Sequence, residues 1–73
     1  MSLRARHARR LASLLTARTG AYVLVRYDRS AARYQVQWSG GPDRDAMREL
    51  AAEYTEEVAE LELAELIWLR SSG

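Results

Sequence analysis

The 73-residue, 8.3 kDa chain has room for a single small domain spanning residues 1–73, and its 11 basic residues, all arginine, stand against 10 acids, one histidine and no cysteine. A domain of this size buries only about 60% of its unfolded surface, and with no disulfide to help it, contact with a second body is expected. The lack of cysteine excludes thiol catalysis and cysteine-ligated zinc, and it suits a reducing cytoplasm.

Hydrophobic residues make up 48% of the chain, but 12 of them are alanine and none is phenylalanine, so large core-forming side chains are few. The longest apolar runs, Ala21 to Val25 and Leu66 to Leu69, fall far short of the roughly 20 residues that span a bilayer, which predicts no transmembrane helix. The first 27 residues carry arginines and no acid, as a targeting segment does. Their apolar stretch, Leu11 to Ala17, is broken by Ser13 and Thr16 and no small-residue cleavage motif follows, so no targeting signal is expected.

In chain order, residues 3–18 predict a helix, because at 100° per residue Leu3, His7, Ala8, Leu11, Leu14 and Leu15 gather on one side while Arg6, Arg9, Arg10 and Ser13 take the other. Residues 1–4 are expected to fray into a basic arm, and Gly20 to stop the helix. Tyr22 to Tyr27 and Arg33 to Trp38 are β-branched and aromatic runs joined by the polar segment Asp28 to Ala32, which predicts a hairpin. Alternation places Val23, Val25, Tyr27, Tyr34, Val36 and Trp38 on its apolar face, and Tyr22, Leu24, Arg26, Arg33, Gln35 and Gln37 on the other. A two-stranded hairpin is marginal alone, so it must pack on helices, gain a strand or pair across a dimer.

Pro42 at the first helical position, with Asp43 and Asp45 in the first turn, predicts the next helix, whose buried face runs through Met47, Leu50, Ala51, Tyr54, Val58 and Leu61. Beyond Glu57 two readings stand. Either the helix continues, straight or kinked, to about Leu69, which the helix-forming residues favour, or it ends near Ala64 and a short third strand covers residues 66–70. Residues 71–73 read as a loose tail. The expected fold is α+β: an N-terminal helix, a β-hairpin and a long C-terminal helical region. The core is expected to comprise Leu11, Leu14, Leu15, Val23, Val25, Val36, Trp38, Met47, Leu50, Tyr54, Val58, Leu61 and Leu66.

The strand-to-helix element Val36-Gln37-Trp38-Ser39-Gly40-Gly41-Pro42, with Met47 on the following helix, resembles one in small actinobacterial proteins of no assigned function. It covers a short stretch and implies no activity, so no functional residue follows from it. The exclusive use of arginine and the richness in alanine are what a GC-rich coding sequence produces, in keeping with a bacterial, actinobacterial source.

Charge is strongly segregated. Up to Arg33 eight arginines face Asp28 alone, whereas Glu49 to Glu65 holds seven acids and no base. His7, the only histidine, stands among Arg4, Arg6, Arg9 and Arg10, which would discourage its protonation without orienting it as a base, so it reads as structural or solvent-exposed. With one His and no Cys, no metal site and no cofactor are expected. The glutamates four apart read as a solvated helix face, and Gly40-Gly41-Pro42 as a helix start whose aspartates would repel a phosphate.

The arginines are the candidate binding residues: Arg6, Arg9, Arg10, Arg18, Arg26 and Arg33, with Arg29, could track phosphates, and Tyr22, Gln35 and Gln37 could touch bases. The glutamates would repel one another unless something basic lies near, and that could be the protein's own arginines. Two readings of a non-enzymatic binding protein follow. In the first it is a nucleic-acid-associated accessory or regulatory protein. In the alternative it is a protein-interaction or homo-oligomerisation module whose basic half pairs with acidic helices. Leftover apolar residues, Tyr22, Leu24, Ile67, Trp68 and Leu69, mark the candidate partner or homodimer interface. A membrane partner is not expected, since the apolar side of residues 3–18 lacks Trp and Phe.

Overall fold

The computed structural model describes residues 3–72, which form helix α1 (Leu3–Thr19), strand β1 (Tyr22–Asp28), strand β2 (Arg33–Ser39) and helix α2 (Arg44–Ser72). The chain is α+β in the order expected.

Helix α1 starts within the segment expected to fray. Leu3 and Arg4 are helical, and the Arg4 guanidinium lies 4.5 Å from the centre of the Tyr27 ring, a cation–π contact that ties down the start of the helix. Met1 and Ser2 lie outside the described residues. The helix ends as the sequence predicts: the Gly20 N–H donates to the Thr16 carbonyl at 2.8 Å, with Gly20 at φ 74°. Thr19 secures the exit, its hydroxyl donating to the Leu15 carbonyl at 2.7 Å and accepting from the Ala21 N–H at 3.1 Å.

The two strands form an antiparallel sheet in which Val23 faces Trp38, Val25 faces Val36 and Tyr27 faces Tyr34. These pairs point inward, as the alternation predicts, and Tyr22, Leu24, Arg26, Gln35 and Gln37 stand exposed on the outer face. Asp28 organises the connecting loop: one carboxylate oxygen accepts from the backbone N–H of Ser30 at 2.9 Å and the other from the Gln35 amide at 2.8 Å. Ala32 completes the loop at φ 52°, a left-handed conformation that its Cβ disfavours.

Gly41, at φ 82°, brings the chain so close to Ala21 that a Cβ on it would lie 2.8 Å from the Ala21 Cβ. Asp43 then caps α2, accepting from the Ala46 N–H at 2.8 Å through its side chain and from Met47 at 3.0 Å through its carbonyl. The helix therefore begins one residue after Asp43. Pro42 precedes the cap and is not the first helical residue.

Helix α2 continues for 29 residues without a break. Residues 66–70 are helical, not a third strand, and Ser71 and Ser72 extend the helix where a loose tail was expected; Gly73 lies outside the described residues. At about 1.5 Å per residue α2 is roughly 43 Å long, and it sets the 44 Å long dimension of the molecule. It packs on α1 in the opposite sense, so that Glu62 and Glu65 lie beside His7 near the start of α1.

The buried core comprises Ala8, Leu11, Leu15, Ala21, Val23, Val25, Met47 and Val58, with Leu14, Val36, Trp38, Leu50 and Tyr54 half-buried around it. Leu61 is also half-buried, but Leu66, expected in the core, is 43% exposed. It lies in the last turns of α2, which run to and past the beginning of α1, where little remains to cover them.

Two substitutions test this packing by urea unfolding followed by circular dichroism. Leu11→Ala should cost about 2–5 kcal/mol, most of what a domain this small possesses. Ala32→Gly should stabilise by about 0.5 kcal/mol, the relief of left-handed strain exceeding glycine's entropic cost.

Candidate functional site

The arginines of α1 fall into two groups. Arg6 lies on the seam with α2 and pairs with Glu65 at 3.4 Å. Arg9 and Arg10 point away from that seam and, with Arg18, Arg26, Arg29 and Arg33, are exposed and form no ion pair among the described residues. Glu49, Glu53, Glu56, Glu57 and Glu60 are equally exposed and unpaired. Among the described residues, close approaches of opposite charge between the basic and acidic halves are thus those of Arg6 with Glu65 and of His7 with Glu62 and Glu65.

An open groove runs between the first half of α1 and β1. Arg4, Arg9, Arg26 and Arg29 line it, Leu24 and Tyr27 add apolar surface, and Glu62 is its only acid. The helix supplies Arg4 and Arg9, five positions apart; the strand and hairpin loop supply Arg26 and Arg29. Of the sequence-predicted residues, Arg9, Arg26 and Arg29 meet here. Arg10 lies on the outer side of α1, Arg18 in its last turn, and Arg33 at the start of β2 on the opposite edge of the sheet. Arg4 belongs to the groove although its position suggested a frayed arm.

Glu62 also belongs to a polar cluster with His7 and Tyr34. His7 is 2% exposed, with Nδ1 at 3.9 Å from Glu62 and Nε2 at 3.6 Å from Glu65. It is buried rather than solvent-exposed, and carboxylates rather than arginines lie beside its ring. Neither nitrogen has a hydrogen-bond partner among the described residues, and the buried Tyr34 hydroxyl has none either. Tyr34 meets Tyr27 edge to face with ring centres 5.2 Å apart. Burial, the Glu62 carboxylate and Tyr27 raise the Tyr34 hydroxyl above its ordinary pKa, against a smaller opposing effect of Arg4. Among the described residues no group of three or more His, Asp and Glu is arranged to hold a metal ion.

A second groove, on the other side of the sheet, is floored by Tyr34, Val36, Trp38, Met47 and Ala51 and rimmed by Arg33, Arg44 and Arg48. The residues expected at a partner interface divide between two places. Tyr22 and Leu24 lie on the outer sheet face, whereas Ile67 and Trp68, 57% and 67% exposed, belong to the last turns of α2. The side chain of Leu69 lies outside the described residues. Among the described residues no helix is long and apolar enough to cross a membrane.

Because its hydroxyl has no partner, Tyr34→Phe should leave stability at pH 7 unchanged or raise it by up to about 1 kcal/mol. The raised pKa makes the unfolded chain lose this proton first, so stability falls as pH climbs above about 10, and the phenylalanine variant should lose less over that range. Urea midpoints at neutral and alkaline pH check both.

No family model matches the chain, and neither the curated proteins nor the solved structures contain a match to it.

Proposed function

We propose that this is a non-enzymatic, nucleic-acid-binding accessory protein that holds the phosphate backbone in the groove between α1 and β1. The observation that carries the reading is the convergence of Arg4, Arg9, Arg26 and Arg29 on one open groove with a single acid in it. Guanidinium groups left without carboxylate partners are available to phosphate oxygens, which they match in charge and geometry. Arg10 and Arg18 extend the basic surface along α1. The exposed sheet face beside it offers Tyr22 for stacking and Gln35 and Gln37 for hydrogen bonds to base edges.

The alternative, in which the basic half is consumed by the acidic helix, is met among the described residues only at Arg6 and His7. The absence of cysteine fits a protein that works in a reducing cytoplasm.

Fluorescence anisotropy of labelled single-stranded DNA, duplex DNA and RNA at roughly 50 and 200 mM salt provides the test. Affinity should fall steeply with salt. Replacing Arg9, Arg26 and Arg29 together by Ala should lower the salt slope by about 3, while the circular dichroism spectrum stays unchanged. No binding to any of the three at the lower salt would sink the proposal.

A further inference from the structure

The core packs against the inner face of the hairpin, and the outer face is left bare. In the middle of that face the register sets Leu24 opposite Gln37 and Arg26 opposite Gln35, all four exposed. Its one carboxylate, Asp28, is half-buried at the loop end. There it is occupied by the N–H groups of Ser30 and Ala31, at 2.9 and 3.4 Å, and by the Gln35 amide at 2.8 Å.

Arginines flank both edges of this face. The groove along β1 brings Arg4, Arg9 and Arg29 beside Arg26, and the groove along β2 is rimmed by Arg33, Arg44 and Arg48 with no acid among its lining residues. These last three are exposed and form no ion pair among the described residues. Inward and outward residues of the edge strand line each groove together, Val25 with Leu24 on β1 and Val36 with Gln37 on β2. Each groove therefore opens over its edge toward the outer face.

We infer that the hairpin enters the major groove of double-stranded B-form DNA, its outer face against the base edges and the arginines of each edge against one of the two bordering backbones. The inference rests on the nucleic-acid reading above and names the nucleic acid. The major groove, about 12 Å wide, admits a two-stranded ribbon, whose strands lie about 4.8 Å apart. Backbones border the groove on both sides, so this placement gives a phosphate partner to Arg33, Arg44 and Arg48 as well as to the arginines beside β1.

The side chains between the edges suit base edges. A glutamine amide matches N6 and N7 of adenine, and an apolar side chain matches the thymine methyl group. Gln37 and Leu24, directly opposite on one row, together match the two halves of a single A·T pair, which accounts for a leucine left 46% exposed among polar neighbours. Gln35 stands two residues away, about 6.7 Å, or about two base-pair steps of 3.4 Å. A single strand would instead need aromatic platforms for its bases, and Tyr22 is the only aromatic on this face. Duplex RNA has a major groove too deep and narrow for side chains to read.

Selection from a randomised DNA duplex, followed by anisotropy on the selected duplex, the duplex RNA of the same sequence and the separated DNA strand, tests the inference. The DNA duplex should bind roughly tenfold or more tightly than either of the others, and the selected sequence should contain a fixed A·T pair. Replacing that adenine by 7-deazaadenine, or that thymine by uracil, removes an atom group from the major groove alone. The first change should weaken the wild-type protein by roughly tenfold and leave Gln37→Ala indifferent; the second should weaken the wild type and leave Leu24→Ala indifferent. Arg44→Ala with Arg48→Ala should lower the salt slope by about 2 on any duplex, with an unchanged circular dichroism spectrum. Equal affinity for single strands or duplex RNA would overturn the inference while leaving the nucleic-acid reading intact. So would insensitivity to both base changes, or a salt slope that ignores Arg44 and Arg48. Failure to bind any nucleic acid at low salt would overturn both.

Discussion

Helix α1 is the one surface on which both other parts of the molecule bury their apolar faces. Leu11 and Leu15 are completely enclosed, and the principal packing contacts run from α1 to β1 and from α1 to α2. Full burial of each leucine is worth roughly 1.5–3 kcal/mol, a large share of the stability a 73-residue chain can hold. The arrangement also has a geometric price. One helix covers β1 and receives α2, but it does not reach across β2, which is why the inward side chains of that strand lie half open.

The same geometry explains why opposite charges in the two halves largely miss each other. A helix seam admits few positions from each side, and here those positions are Arg6 and His7 on α1 and Glu62 and Glu65 on α2. Arg9 and Arg10 project away from the seam, and Glu49 to Glu60 occupy the far side of α2. Exposed pairs contribute only about 0–1 kcal/mol each, so the fold loses little by leaving these charges apart. Stability is carried by Leu11, Leu15, Met47 and Val58, and charge is left to serve the surface.

Much of this architecture was legible because each segment has one clear period. Leu11, Leu14 and Leu15 mark a helix face, and Tyr34, Val36 and Trp38 mark a strand face. Leu66 to Leu69 has no period, being apolar all round, and only the tertiary structure shows that α2 continues there beyond the reach of α1. Asp43 competes with Pro42 for the start of α2, and its carboxylate decides the matter by satisfying the Ala46 N–H. The candidate site was harder to read. Arg9 and Arg26 were visible as members of a basic half, but Arg4 joins them only because Tyr27 holds its guanidinium. The carboxylates around His7 come from more than fifty residues away, a distance over which local pattern carries no information.

The separation of charge has a consequence for how the molecule approaches anything at all. The arginines of α1 and β1 and an acidic ridge along the outer side of a 29-residue helix give a nearly neutral body an uneven distribution of charge. In the field of a polyanion such a body experiences little net pull at long range but a strong torque, so it turns its arginines inward before contact is made. If the proposed phosphate contacts form, the glutamates of α2 face the solvent, and the covered polyanion keeps a negative exterior that discourages further copies from stacking on the first layer.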